Sequence, residues 1–195
     1  MIPKGTTFVF PCRSGSGKDT QVEMLRRRPD LAKPIEISTG DFFRNIAEKE
    51  SLLGKRAKEI LDNGERQPDW FAFLGWLSFF GEKVFAEEIV FSSGSPRSLR
   101  EAGFIDEALE FVRRPQAIAI YFEVSPEEAK KRLLLRARYD DNESAIDARM
   151  DWFETDVRPA LDYYEKRKHL IKVNGEQTPE EVFKELCEKL DSFFA

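Results

Sequence analysis

The sequence predicts an α/β fold, a five-stranded parallel sheet with helices on both faces. Three observations carry this. Short β-branched and aromatic runs alternate along the chain with longer helical patterns. Several of these runs are apolar nearly throughout, as strands covered on both faces must be. The first run ends in a glycine-bearing loop that leads straight into a helical pattern.

The strand segments, in order, are Thr6–Phe10, Ile35–Ile37, Glu88–Ser92, Ala117–Val124 and Leu170–Val173. Between them the helix starts are well marked. Ser125-Pro126-Glu127-Glu128 and Thr178-Pro179-Glu180-Glu181 each read as an N-cap, a proline at the first helical position and a Glu three residues after the cap. The last helix then repeats apolar residues at Val182, Phe183, Leu186, Cys187, Leu190 and Phe194, which predicts a buried stripe with Cys187 in it. Trp70–Phe80 reads as a helix apolar all round, and such a helix must be covered. A central buried helix is the expectation, and a partner surface is the alternative.

Composition bounds the function. The chain has 195 residues with 31 Lys+Arg against 36 Asp+Glu, a net charge of −5, which suits one domain over residues 1–195 and disfavours a dedicated nucleic-acid binder. Its longest uncharged run, Trp70–Gly81, has twelve residues, short of the roughly 20 that cross a bilayer. Cys12 and Cys187 form no CxxC pair, and a single histidine cannot build a zinc site. With no leader pattern at the start, a soluble cytoplasmic protein without nucleic-acid or membrane partners is expected.

Chemistry enters at Pro11-Cys12-Arg13-Ser14-Gly15-Ser16-Gly17-Lys18-Asp19-Thr20-Gln21. Strand, glycine loop, lysine, hydroxyl and helix are the parts that hold a triphosphate. Glycines let backbone N–H groups turn toward phosphate oxygens, and the helix N-terminus favours anions. Lys18 is placed to meet the β- and γ-phosphates. The strict pattern G-x-x-x-x-G-K-[ST] fails at its first glycine, which is Cys12, and at its hydroxyl residue, which is Asp19. A flexible Gly/Ser loop with an incidental lysine is the plain alternative.

Further along stand Ile37-Ser38-Thr39-Gly40-Asp41-Phe42-Phe43-Arg44, Gly64-Glu65-Arg66-Gln67-Pro68-Asp69, Gly94-Ser95-Pro96-Arg97-Ser98, and an arginine-rich stretch from Arg132 to Arg149. In this order and at these intervals, essentially the whole chain resembles adenylate kinases and the wider nucleoside monophosphate kinase family. The resemblance implies a P-loop three-layer α/β/α core, with an acceptor-binding insertion at about 38–69 and a short lid at about 136–148. It implies reversible phosphoryl transfer from Mg·ATP to a nucleoside monophosphate, AMP in the first instance, by a monomeric enzyme. By matching positions, Gly15, Ser16, Gly17, Lys18, Asp19, Thr20 and Arg136 lie on the ATP side. Thr39, Arg44, Glu65, Arg66, Gln67, Gly94, Ser95, Pro96, Arg97, Glu101, Arg138 and Arg149 lie on the monophosphate side. Lys18, Arg97, Arg138 and Arg149 would surround the transferring group. Arginine's planar fork, which binds phosphate oxygens in pairs, suits that work. Some longer lids in the family carry four zinc-binding cysteines; this one has none, so no zinc is expected.

Two departures bear on function. The acid usual before the G-x-P-R turn is Ser93 here, while an acid, Asp19, follows Lys18. One carboxylate has moved across the expected Mg²⁺ site, or Asp19 merely favours the helix N-terminus. The glutamine that reads adenine in the family falls at Glu101, and a carboxylate offers acceptors only. The acceptor is therefore AMP, GMP or a pyrimidine monophosphate, and a nucleotide-binding module with weakened catalysis is the rival reading.

Overall fold

A computed structural model describes residues 2–31, 33–136 and 142–195. Five strands form one parallel sheet: β1 (Thr7–Phe10), β2 (Ile35–Ser38), β3 (Val90–Ser93), β4 (Ile118–Glu123) and β5 (Leu170–Asn174), in the spatial order β2-β3-β1-β4-β5. Sequence and structure differ most at the third strand. The Glu88 carbonyl takes the Arg114 guanidinium at 2.6 Å and its carboxylate takes the Ala86 N–H at 2.8 Å, so that residue closes a turn before the ladder begins.

Alternating side chains send the strands into two cores. On one face Phe8, Phe10, Phe91, Ile120 and Phe122 pack against Val22 and Leu25 of α1 (Lys18–Arg26) and against Val182, Leu186 and Leu190 of α9 (Pro179–Phe193). On the other face Val9, Ile37, Val90 and Ala119 meet α4 (Asp69–Lys83), α5 (Leu99–Phe111) and α8 (Arg158–Lys166) through Trp76, Ile105 and Tyr164. The result is the three-layer α/β/α arrangement that the alternating pattern predicts.

α9 begins with the full capping box at Thr178 and Glu181, as read from the sequence. Its stripe is narrower than expected. Cys187 is only half-buried, at the edge of the stripe beside Arg28, which pairs with Asp191 at 2.8 Å. At α6 (Pro126–Arg136) the box is half-formed: Ser125 caps Glu128, but Glu128 turns to Arg132, and the Ser125 N–H is taken by Glu176 at 2.8 Å. α4 is covered on one side only. Phe71, Trp76 and Phe80 are buried, while Trp70, Leu74 and Leu77 are 58%, 50% and 43% exposed.

Two short helices, α2 (Thr39–Ala47) and α3 (Leu52–Asp62), stand between β2 and α4, and Phe42, Phe43 and Phe71 join them to α4. Gly75 is required there, because a Cβ would lie 2.5 Å from the Phe42 ring. No helix among the described residues is long and apolar enough to cross a membrane.

Candidate active site

The strand register gathers the site. Phe10 of β1 and Ser38 of β2 both lie opposite Ser93 of β3, so three chain segments leave the sheet at one level. They are the loop 11–17, the start of α2, and the turn at Gly94–Arg97. Their common exit is the carboxyl edge of the sheet beside its central strand, where ligands bind in open α/β folds. A cavity of about 630 Å³ opens there.

Gly15 and Gly17 adopt left-handed backbone, at φ 85° and 83°, and Gly17 stands just before α1. A Cβ on Gly15 would come within 2.4 Å of the Ala129 carbonyl, so the loop can lie on α6 only with glycine at this position. Lys18 opens α1. Its Nζ donates to Ser93 Oγ at 2.7 Å and pairs with the Asp19 carboxylate. The positions of the exchanged acid thus meet at one amine. Cys12 lies behind the loop, with its thiol directed at the Ile120 carbonyl at 3.3 Å, and burial pushes that thiol up to about 11. It stays protonated at neutral pH and is no nucleophile.

On the facing side, the Arg97 Nε donates to the Gly94 carbonyl at 2.8 Å, and its guanidinium lies 5.4 Å from the Trp152 ring centre. Burial pulls the Arg97 pKa down, Glu101 opposes this, and the nearby charges of Arg149 and Arg44 add to it. Three arginines therefore converge, and their combined field favours an anion. Arg44 is held by Asp41 at 2.5 Å, and Ser38 caps α2 by accepting the Asp41 N–H. Arg149 is buried in α7 (Glu143–Trp152), and Arg136 ends α6; both line the cavity.

The cavity lining thus includes Gly15, Ser16, Gly17, Lys18, Asp19, Thr20, Arg44, Glu65, Gly94, Arg97, Arg136 and Arg149 among the residues singled out from the sequence. Thr39, Arg66, Gln67, Ser95, Pro96 and Glu101 are not part of that lining. Gln67 turns inward, its amide donating to the Ala57 carbonyl at 3.0 Å. Arg138 lies outside the described residues.

Glu101 is 2% exposed and accepts from the Arg97 N–H at 2.9 Å, the Ser95 hydroxyl at 3.0 Å and Arg66 at 3.4 Å. Burial raises its pKa, and these donors partly offset that. Its carboxylate thus supports the turn that carries Arg97. Arg66 also pairs with Asp69 and Asp156.

Arg13, Arg132 and Trp152 also line the cavity, and sequence reasoning did not single them out. Arg132 was visible as a member of the arginine-rich stretch. Arg13 was visible as a cation inside the glycine loop.

A glycine loop and lysine at a helix start, facing converging arginines across one cavity, define a P-loop nucleotide-binding phosphotransferase. The family model for adenylate kinase matches residues 12–169. Adenylate kinase 1 of Nostoc sp. is 31% identical over 187 residues, covering 96% of this chain and 100% of that protein. The adenylate kinase of Thermus thermophilus is 32% identical, covering 92% of this chain and 94% of the relative, and that of Nautilia profundicola is 34% identical over 92% and 93%. The chain belongs to the adenylate kinase family.

Proposed function

We infer that the chain is an ATP:AMP phosphotransferase, converting ATP and AMP reversibly to two molecules of ADP. The observation that carries this reading is that Lys18, Arg44, Arg97 and Arg149 all line one cavity, with the charges of Arg44 and Arg149 acting on Arg97. A loose phosphoryl-transfer transition state needs in-line positioning and charge neutralisation rather than a strong base, and these groups supply both.

In this reading the loop Gly15–Thr20 and Arg136 hold the ATP phosphates. The segment about 38–69 forms the acceptor side, with Arg44 and Arg97 on the monophosphate, and about 136–148 forms a short lid. Arg149 and Arg138 close on the transferred group. An oxygen of the AMP phosphate attacks the γ-phosphorus of ATP directly and becomes the bridge of the new ADP, while the β,γ-anhydride bond breaks and ADP leaves; Lys18 and the arginines stabilise charge on the equatorial oxygens. No covalent enzyme intermediate is required.

Magnesium fits the donor set. Among the described residues no three acidic, His or Cys side chains converge, while Asp19 and Ser93 put hard oxygens at Lys18. Such a sparse set suits an ion that keeps water and phosphate oxygens as its other ligands. Asp19 would hold it through water, and the ion would neutralise charge between the β- and γ-phosphates. The same reading has a monomeric cytoplasmic enzyme, to which neither nucleic acid nor membrane is a partner.

The test is ADP formation with AMP, GMP, CMP, UMP and dTMP as acceptors. AMP is expected to be used best. ATP binding without transfer to any acceptor would favour a binding module, and preference for GMP would shift the acceptor.

A further inference from the structure

The chain does not run straight from α7 into α8. Between them Phe153–Val157 widen into a π-helical turn, which shifts the register so that successive side chains face different neighbours. Trp152, just before the turn, donates its indole N–H to the Gly64 carbonyl at 3.0 Å and lies against Arg97. The Phe153 ring lies under the Arg13 guanidinium at 4.0 Å, and Glu154 accepts from Arg13 Nη2. Asp156 accepts from Arg66 Nε at 3.1 Å. One short segment therefore touches the phosphate loop, the acceptor insertion and the arginine turn.

The Arg13 side chain is only 3% exposed, and its Nε and Nη1 have no hydrogen-bond partner among the described residues. Its place is thus fixed by a single acid and a single ring. A buried cation with one counter-charge is costly to leave unpaired, so this pair holds firmly.

We propose that Arg13 and Trp152 are positioning residues for phosphoryl transfer. Side by side at the start of the π-turn, they hold the phosphate loop and the acceptor insertion at one fixed separation. The inference rests on the transfer reading above. In-line transfer is sensitive to such spacing, since a misplacement of about 1 Å costs about a hundredfold in rate.

The test uses the whole chain. Trp152→Phe keeps a ring against Arg97 and removes the indole N–H; it is expected to raise the KM for AMP by about fivefold while ATP affinity stays unchanged. Arg13→Met removes the cation and keeps its length. Glu154→Gln removes the counter-charge at a half-exposed position that does not threaten the fold. Each is expected to lower kcat by about tenfold at saturating substrates, and the double variant should be no slower than the slower single one. Unchanged kcat in the two single variants, losses that multiply in the double variant, or KM values for ATP and AMP that move together in Trp152→Phe would overturn the proposal alone. A parent enzyme that forms no ADP would overturn the transfer reading and the proposal with it.

Discussion

Lys18 reaches Ser93 because it stands at the first position of α1, where the left-handed Gly17 turns the chain, and because Ser93 ends the neighbouring strand. Arg97 reaches the cavity from the turn after that same strand. If both stabilise charge at the reacting centre, Lys18→Ala and Arg97→Ala should each lower turnover by about a hundredfold or more, with the melting temperature nearly unchanged. Near-normal turnover in either would remove that residue from the reaction. Asp19 and Ser93 share the Lys18 amine, which gives the exchanged carboxylate a definite meeting point. Asp19→Gly should therefore raise the Mg²⁺ concentration needed for half-maximal activity. Ser93→Asp should rescue that variant while helping the parent little, a non-additive pattern that independent sites would not give. Equal activity of Asp19→Gly at limiting Mg²⁺ would leave Asp19 as a helix-end residue. Glu101 makes a pH prediction. Its folded pKa is raised above the unfolded one, so the folded state binds the extra proton and loses stability as pH rises through that interval. Glu101→Gln cannot titrate, so its melting temperature should gain on the parent's as the pH rises above the ordinary glutamate value of about 4.3. A constant difference across that range would mean the carboxylate does not titrate differently on folding.

At the scale of elements, the loop and the last helix respond to mutation in different ways. Gly15→Ala would set a Cβ 2.4 Å from the Ala129 carbonyl in a left-handed backbone, so ATP binding should weaken by about tenfold or more as the loop shifts. Thr178→Ala breaks the capping box of α9, outside the cavity lining. It should cost about 1 kcal/mol of stability in a denaturation curve and leave kcat unchanged. These elements were legible in the sequence because their causes are local: apolar runs for strands buried on both faces, Ser/Thr-Pro-Glu-Glu for helix starts, glycines before a lysine. The site was legible to the same extent, through motifs that follow directly on strands. What was not legible depends on long-range contacts. Arg13 meets Glu154 across 141 residues of chain, and Trp152 meets Gly64 across 88, beside a π-turn that no 3.6-residue period announces. The position of Glu101 follows from counting along the motif, but its inward orientation follows from Ser95, Arg66 and the Arg97 amide, which fold against it. α4 shows the same limit from the other side: its composition demands cover, and the tertiary fold covers only one face.

For the molecule as a whole, the parallel sheet does the assembling. By ending β1, β2 and β3 at one level it brings a phosphate loop, an arginine helix and an arginine turn to a single cavity, and α7 closes the remaining side with Arg149. The end of α3 and the following Gly64 meet α7 at two further points, where Asn142 donates to the Asp62 carbonyl at 3.2 Å and Gly64 lies against Ala145. In the proposed reading the donor and acceptor sides meet at this cavity, which Lys18, Arg44, Arg97 and Arg149 all line. The claim that follows is direct transfer from one nucleotide to the other. It is tested by mixing the enzyme with γ-labelled ATP, Mg²⁺ and AMP, quenching within one turnover and locating the label. The account predicts label on the β-phosphate of the ADP formed from AMP, with none on the protein and none released as free phosphate. Label on the protein, label released to water, or unreacted ATP at full occupancy of both sites would contradict it.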